Sequence, residues 1–339
     1  MTRTVLDSLN SGLLNALQKD PSVLLLGEDI LDPYGGAFKV TRGCSTAFPD
    51  RVITTPISEA GLGGICAGMA LRGLRPVLEI MFGDFITLLA DQLINHISKF
   101  RWMYNNSVNL PLVIRTPMGG RRGYCPTHSQ SLEKLYLGVP GLTVIAPLTF
   151  ERAAGVLLER VIRETEDPVV FIENKLQYLL PLQTEAEQNE FIQEITYSRT
   201  DAQKRTPTYR LALKGAPAPS LTLTAYGYMA ELARQAQLKL AYEYEIFTEL
   251  VTPTQLSPFE LQPLLDSVRQ TRRLLTIEEG TRTLGWGAEV CAQVAEAVPN
   301  IVSLQRLAAR ETPVPASPAL EKIALPQVDD IITLVRKMV

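Results

Sequence analysis

Apolar positions in the N-terminal half of the chain follow two alternating patterns. Val5, Leu6, Leu9, Leu13, Leu14 and Leu17 share one face at a 3.6-residue repeat and predict a helix, and the apolar run at 22–26 reads as a buried strand. Further apolar runs at 75–81, 111–115, 142–146 and 169–172 are separated by helix-length segments, one of them a helix over 85–100. This alternation predicts a parallel sheet with helices on both faces. Over 182–220 the pattern fails. Gln, Glu, Thr and Lys accumulate there, and Lys214-Gly215-Ala216-Pro217-Ala218-Pro219 reads as a flexible or extended connection. Strand patterns resume at 221–226, 244–248 and 273–277, with helices at 229–242, 259–270 and 286–297. The expected architecture is α/β: a parallel-sheet domain over 1–182, a linker over 183–219 and a smaller α/β domain over 220–339.

Composition narrows the function classes. The chain has 339 residues, 46% hydrophobic and 20% charged, as expected of a globular protein with a sizeable core. Its 33 basic and 36 acidic residues leave a net charge of −3, which provides no field for gathering nucleic acid or a membrane surface. A small molecule or another protein is the expected partner. The first residues lack the apolar core of a signal peptide, and no apolar run approaches the roughly 18 residues a membrane span requires, so a cytoplasmic protein is expected. Cys44, Cys66, Cys125 and Cys291 form no CxxC pair and have no matching His spacing. They read as reduced thiols and indicate neither zinc nor a disulfide framework.

Three places carry candidate chemistry. In Thr55-Pro56-Ile57-Ser58-Glu59-Ala60-Gly61 a lone Glu opens a small-residue helix. Taken alone, Glu59 is a first-turn acid favoured by the helix dipole. In Glu79-Ile80-Met81-Phe82-Gly83-Asp84-Phe85 a strand opens into two phenylalanines, which are either core residues or one side of a slot for a planar ring. In Gly119-Gly120-Arg121-Arg122-Gly123-Tyr124-Cys125-Pro126-Thr127-His128-Ser129-Gln130-Ser131, one of only two histidines lies in a loop too rich in Gly and too polar to be core. A site-lining or solvent-exposed imidazole fits that setting, and its ordinary pKa near 6.5 suits proton transfer. His96, in the helix expected over 85–100, reads as structural.

At these places, and over most of its length, the chain resembles the beta subunit of the thiamine-diphosphate-dependent 2-oxoacid dehydrogenases of the pyruvate and branched-chain type. The resemblance implies a transketolase-like pyrimidine-binding domain followed by a transketolase C-terminal-type domain. Leu221-Thr222-Leu223-Thr224-Ala225-Tyr226-Gly227, the Arg282 to Glu289 run and Pro313-Val314-Pro315-Ala316-Ser317-Pro318 carry the second match. It implies that Glu59 is catalytic and binds the pyrimidine ring nitrogen, so that the cofactor's own amino group takes the thiazolium proton. It also implies that Phe82 and Phe85 hold the ring. His128 would orient the 2-oxoacid carboxylate, stabilise the intermediate or assist acyl transfer to a lipoyl group.

The magnesium and diphosphate half of such a site uses a Gly-Asp-Gly motif and a downstream Asn, and this chain has no Gly-Asp-Gly. An alpha subunit holding Mg2+ is therefore implied, in an α2β2 assembly, along with docking to an acyltransferase core that carries a lipoyl domain. A potassium ion bound by loop carbonyls is left open, because the spacing around 164–168 differs by about one residue from the family pattern. Two departures bear on the acceptor. Gly138 stands where relatives often carry His, and Arg121-Arg122 replaces a small-residue stretch. Arg121, Arg122 and Gln130 are thus candidates for meeting a substrate carboxylate or a carrier protein, with solvation as the alternative for the two cations. Two other readings stay open. One is a thiamine-dependent acyl-transfer or carbon-carbon bond-forming enzyme with a non-lipoyl acceptor, and the other is a non-catalytic scaffold for an alpha subunit.

Overall fold

The computed structural model describes residues 3–183, 190–198 and 205–339. They form two compact units. The first comprises Met1–Gly119 and Leu135–Leu182, and the second Gly120–Lys134 and Gln183–Val339. The loop carrying His128 therefore packs with the C-terminal part of the chain, although the sequence reading placed it within 1–182.

The first unit opens with α1 (Val5–Lys19). Thr4 caps it by accepting the Asp7 N–H, and the Asp7 carboxylate accepts the Thr4 N–H in return, so two otherwise unpaired donors of the first turn are satisfied. There follow β1 (Val23–Gly27), the short α2 (Cys44–Ala47), β2 (Val52–Thr54), α3 (Glu59–Leu71) and β3 (Arg75–Glu79). After α4 (Phe100–Met103) come β4 (Val113–Met118), β5 (Thr143–Ile145), α5 (Gly155–Glu164) and β6 (Val169–Asn174). The strands lie in the order β5-β6-β4-β3-β1-β2, all parallel, as the pattern predicts. Leu9, Leu13 and Leu17 of α1 join Leu157, Leu158, Val161 and the strand residues Val23, Leu25, Val77 and Phe171 in one core. The helices α1 and α5 meet backbone to backbone. A Cβ on Gly155 would lie 1.8 Å from the Ser8 carbonyl oxygen, so only glycine fits there.

The expected helix over 85–100 is a composite: a 3-10 segment at Gly83–Leu89, a π-helical segment at Gln92–Ile97 and then α4. The apolar spacing was legible, but the local winding was not. Leu89 of the 3-10 segment packs against α3, its side chain filling the space where a Cβ on Gly63 would stand, at 2.2 Å.

The second unit contains β7 (Phe191–Tyr197), β8 (Pro207–Leu213), β9 (Leu221–Ala225), α6 (Gly227–Tyr244), β10 (Thr248–Pro253) and β11 (Gln255–Ser257). Then come α7 (Gln262–Thr271), β12 (Arg273–Thr281), α8 (Trp286–Ala297), β13 (Ser303–Ala309), α9 (Pro318–Ala324) and α10 (Val328–Met338). Its sheet has the order β13-β12-β9-β10-β8-β7, parallel except where β8 meets β10 and β7 meets β8. The linker expected over 183–219 is corrected here: β7 and β8 both fall within it, while 184–189 and 199–204 lie outside the described residues. Polar residues that looked like linker composition pair across the strands. Arg210 bridges Glu194 at 3.1 Å and Glu249 at 3.0 Å. The strand expected at 244–248 begins only at Thr248, because buried Ala236, Leu240 and Ala241 keep α6 helical as far as Tyr244.

Candidate functional site

In the first unit, the ends of β1, β2 and β3 finish level, with Gly27 opposite both Thr54 and Glu79. Ligands of parallel α/β sheets bind at such carboxyl ends. From the end of β2 the chain runs through 55–58 into α3, whose first residue is Glu59, 6% exposed. Ser58 occupies the N-cap position but its hydroxyl makes no capping bond. The Glu59 carboxyl has neither hydrogen bond nor ion pair with any described residue.

Glu28 follows directly on β1. Burial raises its pKa, and the negative charges of Glu59 and Asp29 raise it further. The sequence reading missed this residue. Its one available signal was an acid immediately after the buried strand at 22–26.

Beyond the end of β3, the Phe82 and Phe85 rings stand edge to face with centroids 6.2 Å apart, both half-buried. Phe82 is also committed to packing. It stands edge-on to Phe38 at 5.4 Å, and the fully buried Lys175 ammonium lies 5.4 Å from its ring centroid. Phe38 in turn lies 5.5 Å from Tyr178, whose hydroxyl donates to Glu173. Arg115, 2% exposed, donates to both oxygens of Glu173 at 2.8 and 2.7 Å and to Glu79. Burial opposes the Arg115 charge, but Glu173 and Glu79 outweigh it and raise its pKa. The aromatic pair therefore rests on a buried, ion-paired layer.

In the second unit, His128 is half-buried, its Nδ1 3.1 Å from the Thr127 hydroxyl and its N–H donating to the Cys125 carbonyl at 3.3 Å. Gln130 is half-buried and Ser129 buried. The two arginines differ in setting. Arg121 is anchored inside the protein: its guanidinium lies 2.9 Å from Glu279, donates to the Pro326 carbonyl and sits over the Tyr228 ring. Its charge is compensated there, while the Arg122 guanidinium lies 5.9 Å from the Tyr124 ring centroid. The structure joins Phe82 to Phe85 and Glu59 to Glu28 in one unit, and Arg121, Arg122, His128 and Gln130 on one loop in the other. His96 is half-exposed beside Asp91, on the surface.

Among the described residues, no group of three or more His, Cys, Asp or Glu side chains is placed to hold a metal ion. No helix among them is long and apolar enough to cross a membrane. A thiamine-type pyrimidine fits the first-unit residues, since Glu59, without a hydrogen bond to any described residue, and a half-buried aromatic pair supply a hydrogen bond and a stacking surface.

A parallel-sheet α/β unit with Glu59 past one strand end and an aromatic pair past another, followed by a mixed-sheet α/β unit, makes a two-domain α/β protein. Residues 2–180 match the transketolase pyrimidine-binding domain and residues 212–331 the transketolase C-terminal domain. The mitochondrial pyruvate dehydrogenase E1 component subunit beta-1 of Oryza sativa subsp. japonica is 36% identical, covering 98% of this chain and 86% of that protein. The acetoin:2,6-dichlorophenolindophenol oxidoreductase subunit beta of Bacillus subtilis (strain 168) is 33% identical, covering 97% of this chain and 94% of that one. A solved split-gene transketolase, an inactive beta4 tetramer, shares the fold, with a TM-score of 0.74 at 20% identity over 98% of this chain and 96% of its own. The chain belongs to the transketolase-like family of E1 beta subunits of thiamine-diphosphate-dependent 2-oxoacid dehydrogenases.

Proposed function

We propose that this chain is the beta subunit of a heteromeric thiamine-diphosphate-dependent dehydrogenase that decarboxylates a 2-oxoacid and passes the acyl group to lipoamide. The observation that carries the reading is Glu59, 6% exposed and without a hydrogen bond to any described residue, at the start of α3 just past the end of β2, in the same unit as the Phe82 and Phe85 pair. When bound, thiamine diphosphate supplies the carbanion chemistry for decarboxylation. Glu59 holds the pyrimidine through a hydrogen bond. Phe82 and Phe85 fix the ring plane, and the Arg115 layer keeps them from shifting. His128 orients the substrate carboxylate and moves a proton during acyl transfer, with Gln130 and Arg122 beside it on the loop.

The reading further assigns the diphosphate and Mg2+ to an alpha subunit in an α2β2 assembly, and acyl transfer to an acyltransferase core with a lipoyl domain. It leaves a potassium site near 164–168 to a comparison of thermal midpoints in K+ and Na+. Cytoplasmic location is part of the reading and fits the four free cysteines, to be tested by fractionation.

Two observations favour a second reading in which donor or acceptor differs. Gly138, where the family resemblance implies a His, has a left-handed backbone with φ +74°, and one relative is named for acetoin. A carrier protein or a second carbonyl would then take the acyl group. The experiment is to co-express the chain with its alpha-type partner, add thiamine diphosphate and Mg2+, and measure turnover of a 2-oxoacid panel and of acetoin with a dye acceptor. Carbon dioxide release that needs both chains and is lost in Glu59→Gln supports the first reading. Dye reduction with acetoin alone supports the second, and no turnover with any donor indicates a non-catalytic scaffold.

A further inference from the structure

The loop Gly120–Lys134 has no regular structure before its last residues, yet it is tied down at both ends by buried carboxylates of the same unit. At its start, Glu321 of α9, 3% exposed, accepts the Arg121 N–H at 2.6 Å on one oxygen and the Gly123 N–H at 3.2 Å on the other. Arg121 and Gly123 both have left-handed backbones, with φ +69° and +68°, an arrangement in which nearby N–H groups converge to form an anion-binding nest. Arg121 is a non-glycine residue in that conformation, so the turn needs an external partner to hold it. Glu321 supplies the anion.

Glu279 adds a second tie, accepting the Gly120 N–H at 2.7 Å while pairing with the Arg121 guanidinium. Packing leaves the turn no room to slide. A Cβ on Gly120 would stand 2.7 Å from Leu325 and 3.1 Å from the Glu321 carboxylate, and one on Gly123 would stand 3.2 Å from the Ala316 carbonyl. At the far end, Tyr226 donates to Glu133, and Lys134 donates to the Thr283 carbonyl at 2.8 Å. His128 lies between these two anchors.

We propose that Glu321, with Glu279 and Arg121, is a positioning residue that sets the place of His128 by gripping the backbone nest at Arg121 and Gly123. The proposal rests on the reading of His128 as the group that meets the substrate. It assigns Arg121 to the clamp. Glutamine at 321 keeps the shape but turns one of two acceptors into a donor aimed at an N–H, so the nest loses half its grip.

The test uses Glu321→Gln in the full chain and in its complex with the alpha partner. Hydrogen exchange of the full chain should show lost protection at the Arg121 and Gly123 amides, with β9 and β12 unchanged. In the complex, kcat should fall by up to about 100-fold, the scale expected for misplacement of about 1 Å. In a His128→Ala background the same substitution should change kcat less than about twofold, because both act through one group. Gly123→Ala, which disturbs the nest from the loop side, should reproduce the exchange and kinetic pattern and serves if Glu321→Gln fails to fold. Unchanged exchange in the loop would overturn the clamp, and equal losses with and without His128 would overturn its action through that residue. If the wild-type complex turns over no donor, the functional reading fails on its own, while the exchange result still decides the clamp.

Discussion

Replacing Glu278 by glutamine should flatten the dependence of stability on pH. Glu278 is 1% exposed in the second half of β12, where one carboxyl oxygen accepts the Gly287 N–H at 3.1 Å at the start of α8 and the other has no hydrogen-bond partner among the described residues. Burial, reinforced by the nearby Glu133 charge, pushes its pKa from 4.5 up to about 8 against the N–H groups of Gly287 and Trp286 and the Arg306 charge. The folded protein therefore holds a proton that the unfolded chain releases between about pH 4.5 and about 8, and stability falls as pH rises through that window. Each tenfold change in proton affinity is worth about 1.4 kcal/mol, so the contribution lost above about pH 8 reaches at most about 5 kcal/mol. Glutamine keeps the accepting oxygen and cannot ionise. Relative to wild type, Glu278→Gln should gain stability steadily as pH rises from about 5 to about 9, with the gap closing at the acid end. The chain has two tryptophans, of which Trp286 is buried at the head of α8 and Trp102 is 83% exposed. Urea unfolding followed by Trp286 fluorescence in a Trp102→Phe background reads the change locally. Parallel stability curves for the two proteins across that range would refute the reasoning, since they would mean that Glu278 has the same proton affinity folded and unfolded.

Glu59→Gln should remove turnover in the complex while leaving assembly with the alpha partner intact by gel filtration, and near-normal turnover would remove Glu59 from the chemistry. Arg115→Met strands the Glu79 and Glu173 carboxylates in the core and should cost about 3–5 kcal/mol, seen in denaturant unfolding, with Arg115→Met/Glu173→Gln recovering part of the loss. Gly155→Ala forces a Cβ onto the Ser8 carbonyl and should destabilise the first unit by about 1–3 kcal/mol, and a neutral thermal midpoint would show that α1 and α5 can separate at little cost. Burial pushes the Cys44 and Cys66 thiols up to about 12, so at neutral pH a thiol reagent should modify exposed Cys125 first and leave those two unreacted until the protein unfolds.

Much of the fold was legible because its signals are local. The helix α1 was readable from Leu9, Leu13 and Leu17 on one face, and the strands of the first sheet from short apolar runs, since a strand covered on both sides needs continuous apolar side chains. Glu59 and His128 became candidates only through the motifs around them. A lone carboxyl at a helix start or a lone loop imidazole has a bland explanation, and the low exposure of Glu59 comes from how α3 packs. The sequence failed where polar residues serve structure. β7 and β8 read as linker because their charges pair across strands, as Arg210 does with Glu194 and Glu249, and such pairing has no periodicity in one strand alone. Arg121 looked like a cation offered to a ligand until Glu279 and the Pro326 carbonyl were found against it. What the sequence determines by itself is which segments must be buried and which short motifs carry chemistry. The tertiary structure decides which charges are spent inside the protein, because a charge is available only if no partner distant in the chain has been brought against it.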